Sequence, residues 1–157
     1  MTAPQTLDRA GIAQRIPHSG SMCLLERLES WDADTIHCST GTHAHADNPL
    51  RTESGLLAPN AIEYAAQAMA LHGGLLAAEG STPSAGFLAS ARNVKLAVAR
   101  LDDVPGALQV RASRLSGDDR QVLYAFTVTA DDGRMLAEGR AVVVLNTPLA
   151  TESTPTP

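Results

Sequence analysis

A chain of 157 residues is long enough for one domain with one core and too short for two. Its 44% hydrophobic content is broken into short runs, none approaching the ~20 consecutive apolar residues of a membrane helix, so no membrane span is expected. A formal net charge of -5, with 12 basic residues dispersed along the chain and 3% aromatics, excludes the basic face and stacking platform that nucleic acid demands.

The stretch MTAPQTLDRAGIAQR has no apolar central region and no small-residue cleavage site, so no secretory signal is read and a cytosolic location is expected. Thr6 to Arg15 predicts a short helix, and Pro17 with Ser19-Gly20-Ser21 a turn. Met22 to Trp31 reads as extended, Asp32-Ala33-Asp34 as a hairpin turn, and Thr35 to about Thr42 as a strand with Ile36, Cys38 and Thr40 on one face. His43 to Pro59 reads as an irregular loop. The one strong helix is Asn60 to Ala78, rich in alanine and leucine and stopped by Gly80 near Pro83. It is apolar almost all round, which predicts burial. Four strand-like segments follow, from about 86 to 100, 107 to 117, 121 to 130 and 134 to 146. Turns at Asp103-Val104-Pro105-Gly106, Gly117-Asp118-Asp119 and Asp131-Asp132-Gly133 separate them. Residues 1–146 make one domain, and 147–157, rich in Thr and Pro, a disordered tail.

Two strands, one long buried helix and about four strands in an antiparallel meander define an α+β fold. One helix cannot cover both faces of so large a sheet, so the economical solution is a curved antiparallel sheet wrapped around the central helix, the hotdog arrangement. Alanine at 61, 65, 66, 68 and 70 lets the strands approach that helix closely. The face and edge left uncovered predict at least a dimer, with a second copy or a related hotdog subunit.

Two segments carry a family resemblance. Ile16-Pro17-His18-Ser19-Gly20-Ser21-Met22-Cys23-Leu24-Leu25-Glu26-Arg27 resembles the opening segment of the β-hydroxyacyl-acyl carrier protein dehydratases. Ile62-Glu63-Tyr64-Ala65-Ala66-Gln67-Ala68-Met69-Ala70 resembles their central-helix segment, in which glutamine follows glutamate by four residues. The likeness covers roughly residues 12 to 146 and is nearest to the divergent branch found beside aryl-polyene and related pigment or lipid synthases. It implies the hotdog fold, dehydration of a 3-hydroxyacyl group held by acyl carrier protein, and no dissociable cofactor. The family's Gly-His-Phe-Pro-like turn, whose histidine partners the glutamate, is replaced here by Ala46-Asp47-Asn48-Pro49-Leu50-Arg51. A non-catalytic subunit paired with an intact dehydratase, and a hotdog thioesterase, are therefore the alternatives.

Dehydration needs a base for the α-proton, an acid for the departing hydroxyl and donors for the enolate-like oxygen. Glu63 is the candidate acid, because a carboxyl on a buried helix is favoured in its neutral form; three residues after Asn60, it also has the spacing of a capping box. His18 and His45 are the candidate histidines. His18 sits in a matched segment, and His45 could enter the site if the loop takes a different path; a structural role is the alternative for each. Gln67, one turn beyond Glu63, either orients Glu63 or a bound acyl group, or bonds a neighbouring strand. Asn60, Ala61 and Ile62 open the helix, where unsatisfied amides and the dipole would polarise a thioester carbonyl. His37 and His72 read as structural. His43 and His45 lack a third ligand at a metal spacing, so no metal is expected. Cys23 and Cys38 read as small buried side chains. Arg92, Lys95 and Arg100 form either a solvated strand face or a rim for an acidic carrier protein.

Overall fold

The structure is a computed structural model and describes residues 3–17, 20–78, 87–118 and 120–145. The first helix, α1 (Arg9–Ala13), is shorter than the predicted span because Asp8 caps it, its side chain accepting from the Gly11 amide at 2.9 Å. β1 (Arg27–Trp31) and β2 (Thr35–Thr40) form the predicted hairpin, in which Asp32 closes the turn by accepting from the amides of Asp34 and Thr35. Ile36, Cys38 and Thr40 are all buried, as the alternation required. The long helix α2 spans Ala61–Ala78, and β3 (Phe87–Leu96), β4 (Leu108–Gly117), β5 (Gln121–Thr129) and β6 (Met135–Val144) follow. The expected helix stop at Gly80 and Pro83 and the tail from 147 lie outside the described residues.

The six strands form one antiparallel sheet in the order β1-β2-β4-β5-β6-β3. This corrects the predicted meander in one respect: β4, β5 and β6 are sequential neighbours, but β3 crosses to the far edge and pairs with β6. α2 packs against β2, β3, β4, β5 and β6, from near one edge to the other, which a flat sheet could not offer a single helix. Bulges in β1, β3, β4 and β6 add the local bending that such wrapping requires.

The core lies between helix and sheet. Val122, Tyr124, Phe126 and Val128 of β5 point inward with Val110 and Ala112 of β4, against Ala61, Tyr64, Ala65, Ala68, Met69 and Leu71 of α2. The alanines make α2 slim enough for this approach. His72 is buried in the same layer, its Nε2 2.8 Å from the Asp32 carbonyl and its Nδ1 2.7 Å from the Tyr124 hydroxyl. A carbonyl only accepts, so Nε2 carries the proton and Nδ1 accepts from tyrosine.

Candidate functional site

The approach to α2 decides what its first turn can offer. A 3-10 turn, Ala58–Asn60, with Pro59 near its start, leads directly into the helix. The Asn60 amide bonds to the Leu57 carbonyl at 3.0 Å, the Ala61 amide turns back on the same short turn, and the Ala58 amide bonds to the Ala99 carbonyl at 3.0 Å. Pro59 has no amide hydrogen. The expected set of free donors at Asn60 and Ala61 is therefore absent: the lead-in turn has taken them. The capping box is also not formed among the described residues: no bond joins the Asn60 side chain to the Glu63 amide, and Asn60 Nδ2 donates instead to the Leu57 carbonyl at 3.1 Å. Glu63 is left half-buried on the first turn of α2 with no hydrogen bond or ion pair among the described residues. Ala61 is fully buried, while Ile62 is half-buried and packs against the core.

Gln67 takes the structural of its two roles. Its Oε1 accepts from the Leu24 amide at 2.8 Å and its Nε2 donates to the Met22 carbonyl at 2.6 Å, so both ends of the buried amide hold the segment ahead of β1 against α2.

Beside Glu63, Tyr64 enters a polar network that sequence reasoning missed. The Leu24 carbonyl accepts from Thr40 Oγ1 at 2.6 Å and from Thr42 Oγ1 at 2.7 Å. With the Thr42 proton so used, the Tyr64 hydroxyl donates to Thr42 Oγ1 at 2.9 Å and accepts from Asn48 Nδ2 at 3.0 Å. Asn48 also donates to the Thr42 carbonyl at 2.9 Å, and its Oδ1 accepts from the Leu50 amide at 2.8 Å. Burial pushes the Tyr64 phenol pKa up, so its proton stays in place. Thus the segment that replaces the family's histidine turn is locked to α2 by an asparagine whose amide is engaged at both ends. The signal available in the sequence was Tyr64, the one aromatic with a polar tip on a largely apolar helix.

The histidines separate by burial. His43 is fully buried, its Nε2 3.0 Å from the Val104 carbonyl; the carbonyl requires Nε2–H, leaving a bare Nδ1 with no partner among the described residues. Burial holds its pKa down, so it stays neutral. His45 is exposed and lines a cavity of about 330 Å³ with Cys23, Glu26, Thr42, Asp47 and Asn48. His37 pairs with Gln109 at 2.7 Å. His18 lies outside the described residues. Among the described residues no histidine bonds Glu63, and Glu63 does not line the His45 cavity, so the Glu63 turn and the His45 cavity are two pieces of the site. Cys23 and Cys38 are buried, and burial pushes the Cys38 thiol up to about 12, which removes it as a nucleophile at neutral pH. Arg92 and Lys95 are exposed on the edge strand β3, whereas Arg100 pairs with Asp102.

A family model described as ApeP dehydratase matches residues 10–153, nearly the whole chain. The chain belongs to the ApeP-like dehydratase family. A search of curated protein sequences finds no match. Among solved structures, a chain of the dehydratase heterocomplex ApeI:P from Xenorhabdus doucetiae is similar at 22% identity and TM-score 0.76, over 87% of this chain and 91% of that one. Thioesterase HI1161 from Haemophilus influenzae is similar at 12% identity and TM-score 0.67, over 98% and 100% of the two chains. The PaaI protein of E. coli, from the phenylacetic acid degradation operon, is similar at 9% identity and TM-score 0.59, over 87% and 88%. At these identities the structural likenesses establish the hotdog fold. The dehydratase family rests on the sequence match. No helix among the described residues is long and apolar enough to cross a membrane.

Proposed function

We propose that this ApeP-like chain is one subunit of a two-chain hotdog dehydratase acting on a 3-hydroxyacyl group carried by acyl carrier protein. The observation that carries the reading is Glu63: a half-buried carboxyl on the first turn of α2, with its capping alternative removed by the 3-10 lead-in and no partner among the described residues. In the reaction a base takes the α-proton, the C–O bond to the 3-hydroxyl breaks, and Glu63 gives its proton to the departing oxygen as water, leaving the trans-2-enoyl thioester. Solvent exchange returns the proton from base to Glu63.

The base comes from a facing hotdog chain. Two features support this: Asn48 occupies the segment in which the family's histidine would stand, and His43 is sealed against Val104. The dehydratase heterocomplex among the similar structures supports a paired assembly, and an exposed edge strand β3 gives the second chain a place to add.

The test is Glu63→Gln in the active assembly, with product mass analysis on 3-hydroxyacyl carrier protein. The expected outcome is a loss of turnover of about 10²-fold or more with the melting temperature unchanged. Turnover within about threefold of the parent, under 1 kcal/mol of barrier, would show the chain to be an accessory subunit. Hydrolysed acid in place of enoyl thioester would reassign the site as a thioesterase.

A further inference from the structure

Asp102 follows β3, outside both pieces of the site, and its bonds lead toward each of them through Leu56 and Arg51. Its side chain is 3% exposed. Oδ1 accepts from the Leu56 amide at 2.8 Å and from Arg100 Nε at 3.0 Å, while Oδ2 meets Arg100 Nη2 and, at 3.5 Å, Arg51 Nη2. Arg51 faces two ways, since its Nη1 donates to the His45 carbonyl at 3.3 Å. The link through Leu56 continues toward α2: the Leu101 amide bonds to the Leu56 carbonyl at 2.7 Å, Leu57 pairs with Arg100 as an isolated bridge, and the Ala58 amide bonds to Ala99. From there the 3-10 turn enters α2 at Ala61, two residues before Glu63. The connection therefore runs without a break from the His45 loop, through Arg51 and Asp102, to the start of the helix.

Gly55 shows how closely this clasp is built. Its φ is +98°, and a Cβ there would lie 2.6 Å from Asp102 Oδ1 and 2.8 Å from Arg100 Nη2, so the backbone passes over the ion pair where no side chain fits. Arg100 holds this nearly buried carboxylate through two nitrogens, a charge-assisted pairing that resists rotation far better than a single neutral bond, and Arg51 adds a second cation at 3.5 Å.

We infer that Asp102 is a positioning residue, which through Arg51 and Leu56 sets the placement of the His45 loop relative to the first turn of α2 and hence the placement of Glu63. This rests on the reading of Glu63 given above. An Asp102 that merely stabilised the sheet would act on the whole fold, whereas a clasp acts on its two attached segments. It would also act on turnover only while Glu63 can take part.

The experiment uses the intact chain in its active assembly and the variant Asp102→Asn, which keeps the shape and an oxygen for the Leu56 amide but discharges the clasp. Hydrogen–deuterium exchange is expected to quicken at least tenfold in segments 42–51 and 55–63, with β5 and β6 unchanged. Turnover is expected to fall about tenfold in kcat with KM within twofold, and to show no further fall when Asp102→Asn is added to Glu63→Gln. Unchanged exchange in 55–63, or equal loss of protection across the sheet, would overturn the proposal, as would a full tenfold effect persisting in the Glu63→Gln background. If Glu63→Gln alone keeps parental turnover, the reading of Glu63 falls, and the exchange pattern still decides the clasp. Should Asp102→Asn fail to fold, Arg51→Gln removes only the outer link. Faster exchange confined to 42–51 would then support the clasp, and no change there would overturn it.

Discussion

Substituting Tyr64→Phe tests whether the network beside Glu63 holds the loop as the geometry implies. The hydroxyl is fully buried, donates to Thr42 Oγ1 at 2.9 Å and accepts from Asn48 Nδ2 at 3.0 Å. Phenylalanine fills the same ring volume, so no cavity term arises and the cost is that of two buried bonds. Thr42 keeps its donation to the Leu24 carbonyl and Asn48 keeps the Thr42 carbonyl, so neither partner becomes wholly unsatisfied. At about 0.5–1.5 kcal/mol for each bond the loss should be about 1–3 kcal/mol. For a domain of this size that corresponds to a fall of roughly 2–12 °C in melting temperature. Urea unfolding followed by circular dichroism measures it, and Thr42→Val should cost less in the Tyr64→Phe background than alone, because the two share one bond. A Tyr64→Phe protein within about 0.3 kcal/mol of the parent, or full additivity with Thr42→Val, would refute the network as a stabilising unit.

Two further outcomes follow from the packing. Burial lowers the pKa of both His43 and His72 in the folded chain, while the unfolded chain titrates them near 6.5, so stability should be full above about pH 6.5 and decline as the pH falls through that value. The two together allow a slope of at most about 2.7 kcal/mol per pH unit, and an equal urea midpoint at pH 7.5 and 5.0 would contradict it. Gly139→Ala should destabilise by about 1–3 kcal/mol, because the new methyl would meet Val94 Cγ2 at 2.9 Å and Phe126 Cζ at 3.1 Å; thermal melts should show a smaller penalty when Val94→Ala is present.

Much of the fold was legible because its signals are local. Alternation along β2 marked its inner face, the aspartate-rich turns marked the hairpins, and the largely apolar character of α2 marked it as central. The place of β3 was not legible, since alternation tells which face a residue occupies and not which strand lies beside it; both β4 and β6 were compatible partners. At the site, the sequence places Glu63 on the first turn of the helix but does not show what surrounds it. Pro59 and Asn60 read equally well as a helix start and as a 3-10 lead-in, and only the latter consumes the amides. Spacing alone could not separate the two roles open to Gln67, because its partners Met22 and Leu24 lie more than 40 residues away in sequence. Asp102 was passed over because it adjoins an ordinary turn, and its partners Arg51 and Leu56 lie far away in sequence.

The crossing of β3 to the far edge also sets an order of events for the folding chain. Phe126 finds Gly139 thirteen residues ahead, whereas Leu88 must wait for Val143, 55 residues ahead. Closing the longer loop costs about 1.3 kcal/mol more in chain entropy, and it brings no reward until β6 is already in place beside β5. The β4-β5-β6 ribbon can therefore assemble from near neighbours, while β3, held by one partner only, docks last and frays first. A strand of that kind is the natural point at which a second chain, arriving during folding, would change the fate of the first.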